Sequence, residues 1–159
     1  MSDELAGLNE FLGRASKATY AGDGGEVESW RKGFKELEYR ENEWYYRDSY
    51  TGYLRSWGQE VVWRNDKPIW TCLYGGGMTE DFMSGNFADE TFAFLKQALS
   101  AGNKGVTFQP RGPEEFTADG WKYQCRLEGT ITKFSGHELI EHKGKIVFTH
   151  DYFGGVVLS

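Results

Sequence analysis

The spacing of apolar residues switches between two periods along the chain. Leu5, Leu8, Leu12 and Ala15 recur at helical steps, which predicts a helix over 3–18 capped by Ser2 or Asp3. A glycine-rich loop, 20–25, ends it; no strand precedes this loop, no Lys-Ser or Lys-Thr pair follows, and Asp23 would repel phosphate, so it is read as a connection and not as a phosphate cradle. The period then drops to two. Strands are predicted over 34–40, 44–53, 58–64 and 67–74, with turns at Glu41-Asn42 and Asn65-Asp66. Gly75, Gly76 and Gly77 are read as releasing the chain from the last of these. The helical period returns in Phe92, Leu95, Ala98 and Leu99, predicting a helix over 87–100 with Asn86 and Asp89 as a capping box. Residues 105–120 are expected to be irregular, with Pro110 and Pro113 keeping the segment out of a central strand. After the turn signal Asp119-Gly120, strands are predicted over 121–127, 131–142 and 145–153, with Lys143-Gly144 turning into the last.

The two strand-rich stretches match each other. With Ser135 treated as one extra residue, Trp44 aligns with Trp121, Tyr46 with Tyr123, Gly58 with Gly136, Glu60 with Glu138 and Tyr74 with Tyr152. Gly76-Gly77 aligns with Gly154-Gly155, and size persists in pairs such as Trp57/Phe134 and Trp70/Phe148. The expected architecture is therefore α+β and internally duplicated. It is one domain over 1–159, with halves at about 1–78 and 87–157, each a helix followed by antiparallel strands. The halves share one antiparallel sheet with both helices on one face.

Composition narrows the functional classes. Aromatic residues make up 16% of the chain, and 21 glycines against 3 prolines fit a strand-rich fold with tight turns. The net charge of −6 repels phosphate backbones and anionic lipid, so neither nucleic acid nor membrane is an expected partner. MSDELAGLNEF has no basic segment leading into an apolar run, so no secretion signal is read and a cytoplasmic location is expected. Cys72 and Cys125 are expected to be reduced thiols. His137 and His142 fall on opposite faces of one strand, and no ligand-spaced Cys or His motif occurs, so neither a metal nor a cofactor is expected.

Comparing the halves isolates candidate site residues. Alternation puts Trp44, Tyr46 and Asp48 on one strand face, matched by Trp121, Tyr123 and Cys125. Asp48 is thus a carboxylate among aromatics where its counterpart is a thiol. It must either anchor a ligand or pair locally, with a turn or with Arg47 or Arg55. Trp70, Cys72 and Tyr74 are matched by Phe148, His150 and Tyr152, which makes His150 a polar replacement on an aromatic face. Glu60 and Glu138 are matched carboxylates that would converge near the axis between the halves.

The string YYRDSYTGYLRSWGQEVVW, together with KPIWTCLYGGGM and the closing YFGG, resembles a family of uncharacterised bacterial and archaeal domains that carries a domain-of-unknown-function label. Some members look to be joined to helix-turn-helix regulators, which implies a sensing role; this chain shows no such DNA-binding segment. The duplicated helix-plus-sheet plan is also similar, at the level of fold, to effector-binding domains of multidrug regulators, which hold aromatic or cationic ligands against aromatic rings and a buried glutamate.

The reading is a small-molecule-binding module with an aromatic cleft. Trp44, Tyr46, Trp70, Tyr74, Trp121 and Tyr123 would form walls, and Asp48, Glu60, Glu138 and His150 would supply polar contacts. Two alternatives stay open: a small hydrolase using a carboxylate with His150, and a homo-oligomeric interaction protein, for instance a homodimer.

Overall fold

A computed structural model describes residues 2–20 and 24–159. The first helix, α1 (Asp3–Ala18), starts at Ser2, whose Oγ accepts from the Leu5 N–H at 3.4 Å. Residues 21–23 of the glycine-rich loop, Asp23 among them, lie outside the described residues. Four strands follow: β1 (Lys35–Glu41), β2 (Trp44–Gly52), β3 (Arg55–Arg64) and β4 (Lys67–Met78). A short 3-10 turn at Glu80–Phe82 leads into α2 (Gly85–Ser100), and then come β5 (Glu115–Ala118), β6 (Trp121–Thr130), β7 (Lys133–His142) and β8 (Lys145–Val156).

All eight strands form one antiparallel sheet in the order β1-β2-β3-β4-β8-β7-β6-β5, so the fold is α+β as expected. The order is the same read inward from either edge. The hairpin registers also correspond: Asp48 faces Glu60 and Glu60 faces Cys72, while Cys125 faces Glu138 and Glu138 faces His150. At the seam between β4 and β8, Tyr74 pairs with Tyr152.

Both helices pack on the same sheet face. Leu8, Phe11 and Ala15 of α1 close over Tyr46, Val62 and Trp70; Phe94, Leu95 and Ala98 of α2 close over Tyr123, Ile140 and Phe148. These partners are the apolar members of the alternating register, and each fully buried aromatic removes enough surface from water to contribute roughly 2–3 kcal/mol. On the far side, β2 is buried as well. Segment 26–34 crosses it: the Arg47 guanidinium donates to Glu28 O at 2.5 Å and pairs with Glu36, and Trp30 lies 3.7 Å above it.

Several boundaries differ from expectation for physical reasons. The three glycines do not release the chain, because β4 runs on through them to Met78. A methyl group on Gly76 would stand 2.2 Å from Thr149 O, so the strand can continue between its neighbours only without side chains. The capping box at Asn86 is not used. The helix begins two residues earlier, after Ser84, and Asp89 instead accepts a hydrogen bond from the Tyr53 hydroxyl. Segment 105–120 is not wholly irregular, since β5 pairs with β6 as an edge strand. Trp57 and Phe134 are not counterparts. Trp57 points outward, 61% exposed, while Phe134 is in the core, 4% exposed; the extra residue sits in the turn before β7, and a one-residue slip reverses the face.

Candidate functional site

Between the sheet and the helices lies a cavity of about 770 Å³. Its floor is the inward face of β2, β3, β4 and β8: Tyr46, Asp48, Glu60, Tyr74, Phe148 and His150 all line it. Tyr20 after α1, Phe92 of α2 and the loop residues Lys104 and Arg111 complete the enclosure. Its lining thus combines rings with a few charged groups, the usual makeup of a small-molecule site.

The polar groups stand in two cross-strand rows created by the alternation. One is Asp48–Glu60–Cys72, the other Cys125–Glu138–His150. The second row is closed. Glu138, fully buried, accepts from Arg111 Nε at 2.9 Å and Nη2 at 2.7 Å, and from the Tyr123 hydroxyl at 2.5 Å. That hydroxyl in turn accepts the Gly112 N–H at 2.9 Å. Burial alone would raise the Glu138 pKa, but the Arg111 charge and the His150 contact hold it well below the ordinary carboxylate range. His150 Nδ1 lies 3.2 Å from Glu138 Oε1, and burial lowers the imidazole pKa despite this partner. A neutral ring bonded to an ionised carboxylate carries its proton on Nδ1, which leaves Nε2 as an acceptor. Among the described residues, Nε2 has no partner, and it is buried from solvent.

Among the described residues, the first row has no such closure. Asp48 accepts from the Tyr74 hydroxyl at 2.7 Å and Glu60 from the Tyr46 hydroxyl at 3.0 Å. Burial, and then the neighbouring Glu60 charge, push the Asp48 pKa up to about 7. Burial raises Glu60 too, against the opposing pull of Arg111. Two buried carboxylates facing each other across a strand pair resist double ionisation, so the row favours an added proton or an added positive group.

The local partners offered for Asp48 are engaged elsewhere. Arg47, on the opposite face, is taken by Glu36, Glu38 and the Tyr45 hydroxyl, and Arg55 by Glu80 and Met78 O. Of the expected site residues, Tyr46, Asp48, Glu60, Tyr74 and His150 meet at the cavity. The others do not line it. Trp44 stacks on Phe11 beneath α1, and Trp121 stacks on Phe87 and Phe94. Trp70 donates from Nε1 to Ile131 O at 3.1 Å, and Tyr123 and Glu138 lie in the closed network behind Arg111. They serve the core because α1 and α2 cover both ends of the inward face and leave only its middle open.

Sequence reasoning missed Arg111 and Lys104. Both come from the non-periodic segment between α2 and β5, where only the prolines flanking Arg111-Gly112 signal an ordered loop. Among the described residues, no cluster of His, Cys, Asp and Glu is placed to hold a metal ion, and no helix is long and apolar enough to cross a membrane.

No curated protein and no solved structure matches the chain. One family model does, over residues 48–157, a span that takes in both carboxylate rows, Lys104 and Arg111. The chain belongs to the family described as Domain of unknown function (DUF5680).

Proposed function

We propose that the domain binds a small organic molecule in the cavity between sheet and helices, as a sensor module would. One observation carries the reading: of two matched carboxylate rows, one is neutralised by Arg111, while the other, Asp48 and Glu60, opens on the cavity with only tyrosine hydroxyls, among the described residues, as side-chain hydrogen-bond partners. The ligand expected there offers a positive charge or several hydrogen-bond donors to that pair and an aromatic or apolar body to Tyr74, Phe92 and Phe148. A cation would displace the proton that Asp48 holds near neutrality, so affinity for it rises with pH through about 7. The matched registers also support a duplicated unit folded as one domain, with the second half specialised for closure.

The Glu138–His150 contact favours a second reading, a hydrolase with His150 as base. Against it stands the sealed Nε2, the atom that would have to meet substrate.

Thermal shift with arylalkyl amines, tyramine and phenethylamine among them, tests the first reading. A ligand at about a hundred times its dissociation constant stabilises by about 2.7 kcal/mol, a readily measured rise in melting temperature. The rise is expected in wild type and absent in Asp48→Asn and Glu60→Gln. An undiminished rise in both variants would place the ligand elsewhere, and no stabilising compound across a broad amine and metabolite set would remove the reading.

A further inference from the structure

The loop after α2 brings a lysine to the cavity and is anchored against α1. Lys104, half-buried, lines both the main cavity and a small adjoining recess that it shares with Ser16, Tyr46 and Glu60. Among the described residues, its Nζ is held by one hydrogen bond, to Ser16 Oγ at 3.0 Å, and forms no ion pair. The loop backbone is fixed from below. Buried Asn9 of α1 donates from Nδ2 to Gly105 O at 3.2 Å and to Val106 O at 3.4 Å. Gly13 lets the helix press against the loop, since a methyl group there would stand 2.7 Å from Gly105 Cα and 2.8 Å from the Lys104 carbonyl carbon. A surface lysine needs neither device, nor a carboxyl group sharing its recess.

We infer that Lys104 is a reactive amine that captures the carbonyl group of a small aldehyde or ketone as a Schiff base inside the cavity. The inference rests on the binding reading to the extent that the cavity must admit a small organic molecule. In the first step the nitrogen lone pair forms a C–N bond to the carbonyl carbon, and the amine's proton moves to the carbonyl oxygen, giving a carbinolamine. In the second step the C–O bond breaks and the hydroxyl leaves as water, taking the remaining nitrogen proton, which the Glu60 carboxylate accepts from nitrogen and passes to the departing oxygen. One water is released, the imine remains, and nothing is oxidised. Asp48 and Glu60 then bind donor groups such as hydroxyls on the captured molecule. Burial, followed by the nearby Arg111 charge, lowers the Lys104 pKa to about 8, in keeping with an amine available as a nucleophile.

The test is reductive trapping. The wild-type protein is exposed to substoichiometric glycolaldehyde with cyanoborohydride at pH 7, and the modified lysines are identified by peptide mass spectrometry. An amine with pKa about 8 is roughly one-tenth unprotonated at this pH, while an ordinary lysine is under about one-thousandth. Labelling at Lys104 is therefore expected to be about tenfold or more faster than at the exposed Lys67 and Lys143. The advantage should shrink by about pH 10, where ordinary lysines also lose their protons. Labelling at Lys104 that equals or lags behind the exposed lysines overturns the inference. If tyramine still stabilises the wild type in that case, the binding reading stands without it. Fast labelling of Lys104 in a protein that no amine stabilises supports the inference and removes only the cationic choice of ligand.

Discussion

Asp48 shows what a single residue costs and contributes. It is 5% exposed, faces Glu60 across the strand pair, and has its pKa raised from 3.8 to about 7. The folded protein therefore binds a proton at this position that the unfolded chain has already lost, over the interval between those values. Stability then falls as pH rises through that window, with the penalty absent below about pH 4 and complete above about pH 7. Asp48→Asn keeps the shape and an oxygen that accepts from Tyr74, but removes the charge. The variant is expected to be more stable than wild type at pH 8 by on the order of 1–3 kcal/mol, and to match it near pH 4. Urea denaturation at the two pH values measures this; a variant less stable at pH 8 would mean that the carboxylate has a countercharge. That an acid stood among aromatics here was legible from the comparison with Cys125. Alternation also put Arg47 on the opposite face; that Glu36 would pair with it there was not legible, because Glu36 meets it from a strand whose pairing only the fold defines.

At the scale of elements, alternation was a dependable guide to face and a poor guide to strand ends. Tyr46, Asp48, Glu60, Trp70, Cys72, Tyr74 and their matched residues all fall on the inward face, as a period of two requires. The matched Gly58 and Gly136 have a definite cause in this packing. Each pairs with a tyrosine on the next strand, and a methyl group would stand 2.4 Å from the Tyr74 hydroxyl or 2.2 Å from Tyr152 Cζ. Gly136→Ala should therefore displace the Tyr152 ring, and with it the hydroxyl 3.0 Å from Cys125 Sγ, at a loss of about 1–3 kcal/mol. Thermal denaturation, with near-UV circular dichroism to report the ring environment, checks this; a near-neutral change would mean that β7 and β8 separate easily. The β4 glycines were misread as a stop because local sequence does not show that a strand lies on each side.

The whole molecule is one sheet made by joining two four-stranded halves at β4 and β8. Neither half satisfies itself. Alone, the first half would leave the twelve residues of β4 as an open edge, and it would lose Ile131 and Phe134 from the core under α1. A fragment of residues 1–83 is expected to be unfolded or aggregated, by circular dichroism and gel filtration, and mixing it with 84–159 should restore a sheet. A monomeric, cooperatively folding 1–83 would contradict the joined-sheet account. The seam also makes the cavity, whose floor takes Tyr74 from one half and His150 from the other.

The sequence by itself determined the two periods and their order, the matched halves, the inward set of each strand and the singular character of Asp48, Glu60, Glu138 and His150. Those properties are local or compare two stretches of one chain, and alternation carries them without knowledge of partners. Only the tertiary structure decided which inward residues face a void and which face a helix, and so separated Tyr46 and Tyr74 from Trp44, Trp70, Trp121 and Tyr123. It also decided that Arg111 neutralises Glu138 while Glu60 stays open, and that Lys104 reaches the same cavity. Both cations come from a non-periodic loop, whose course is set by long-range contacts to Asn9, Gly13 and Tyr123 and not by any pattern within its own residues.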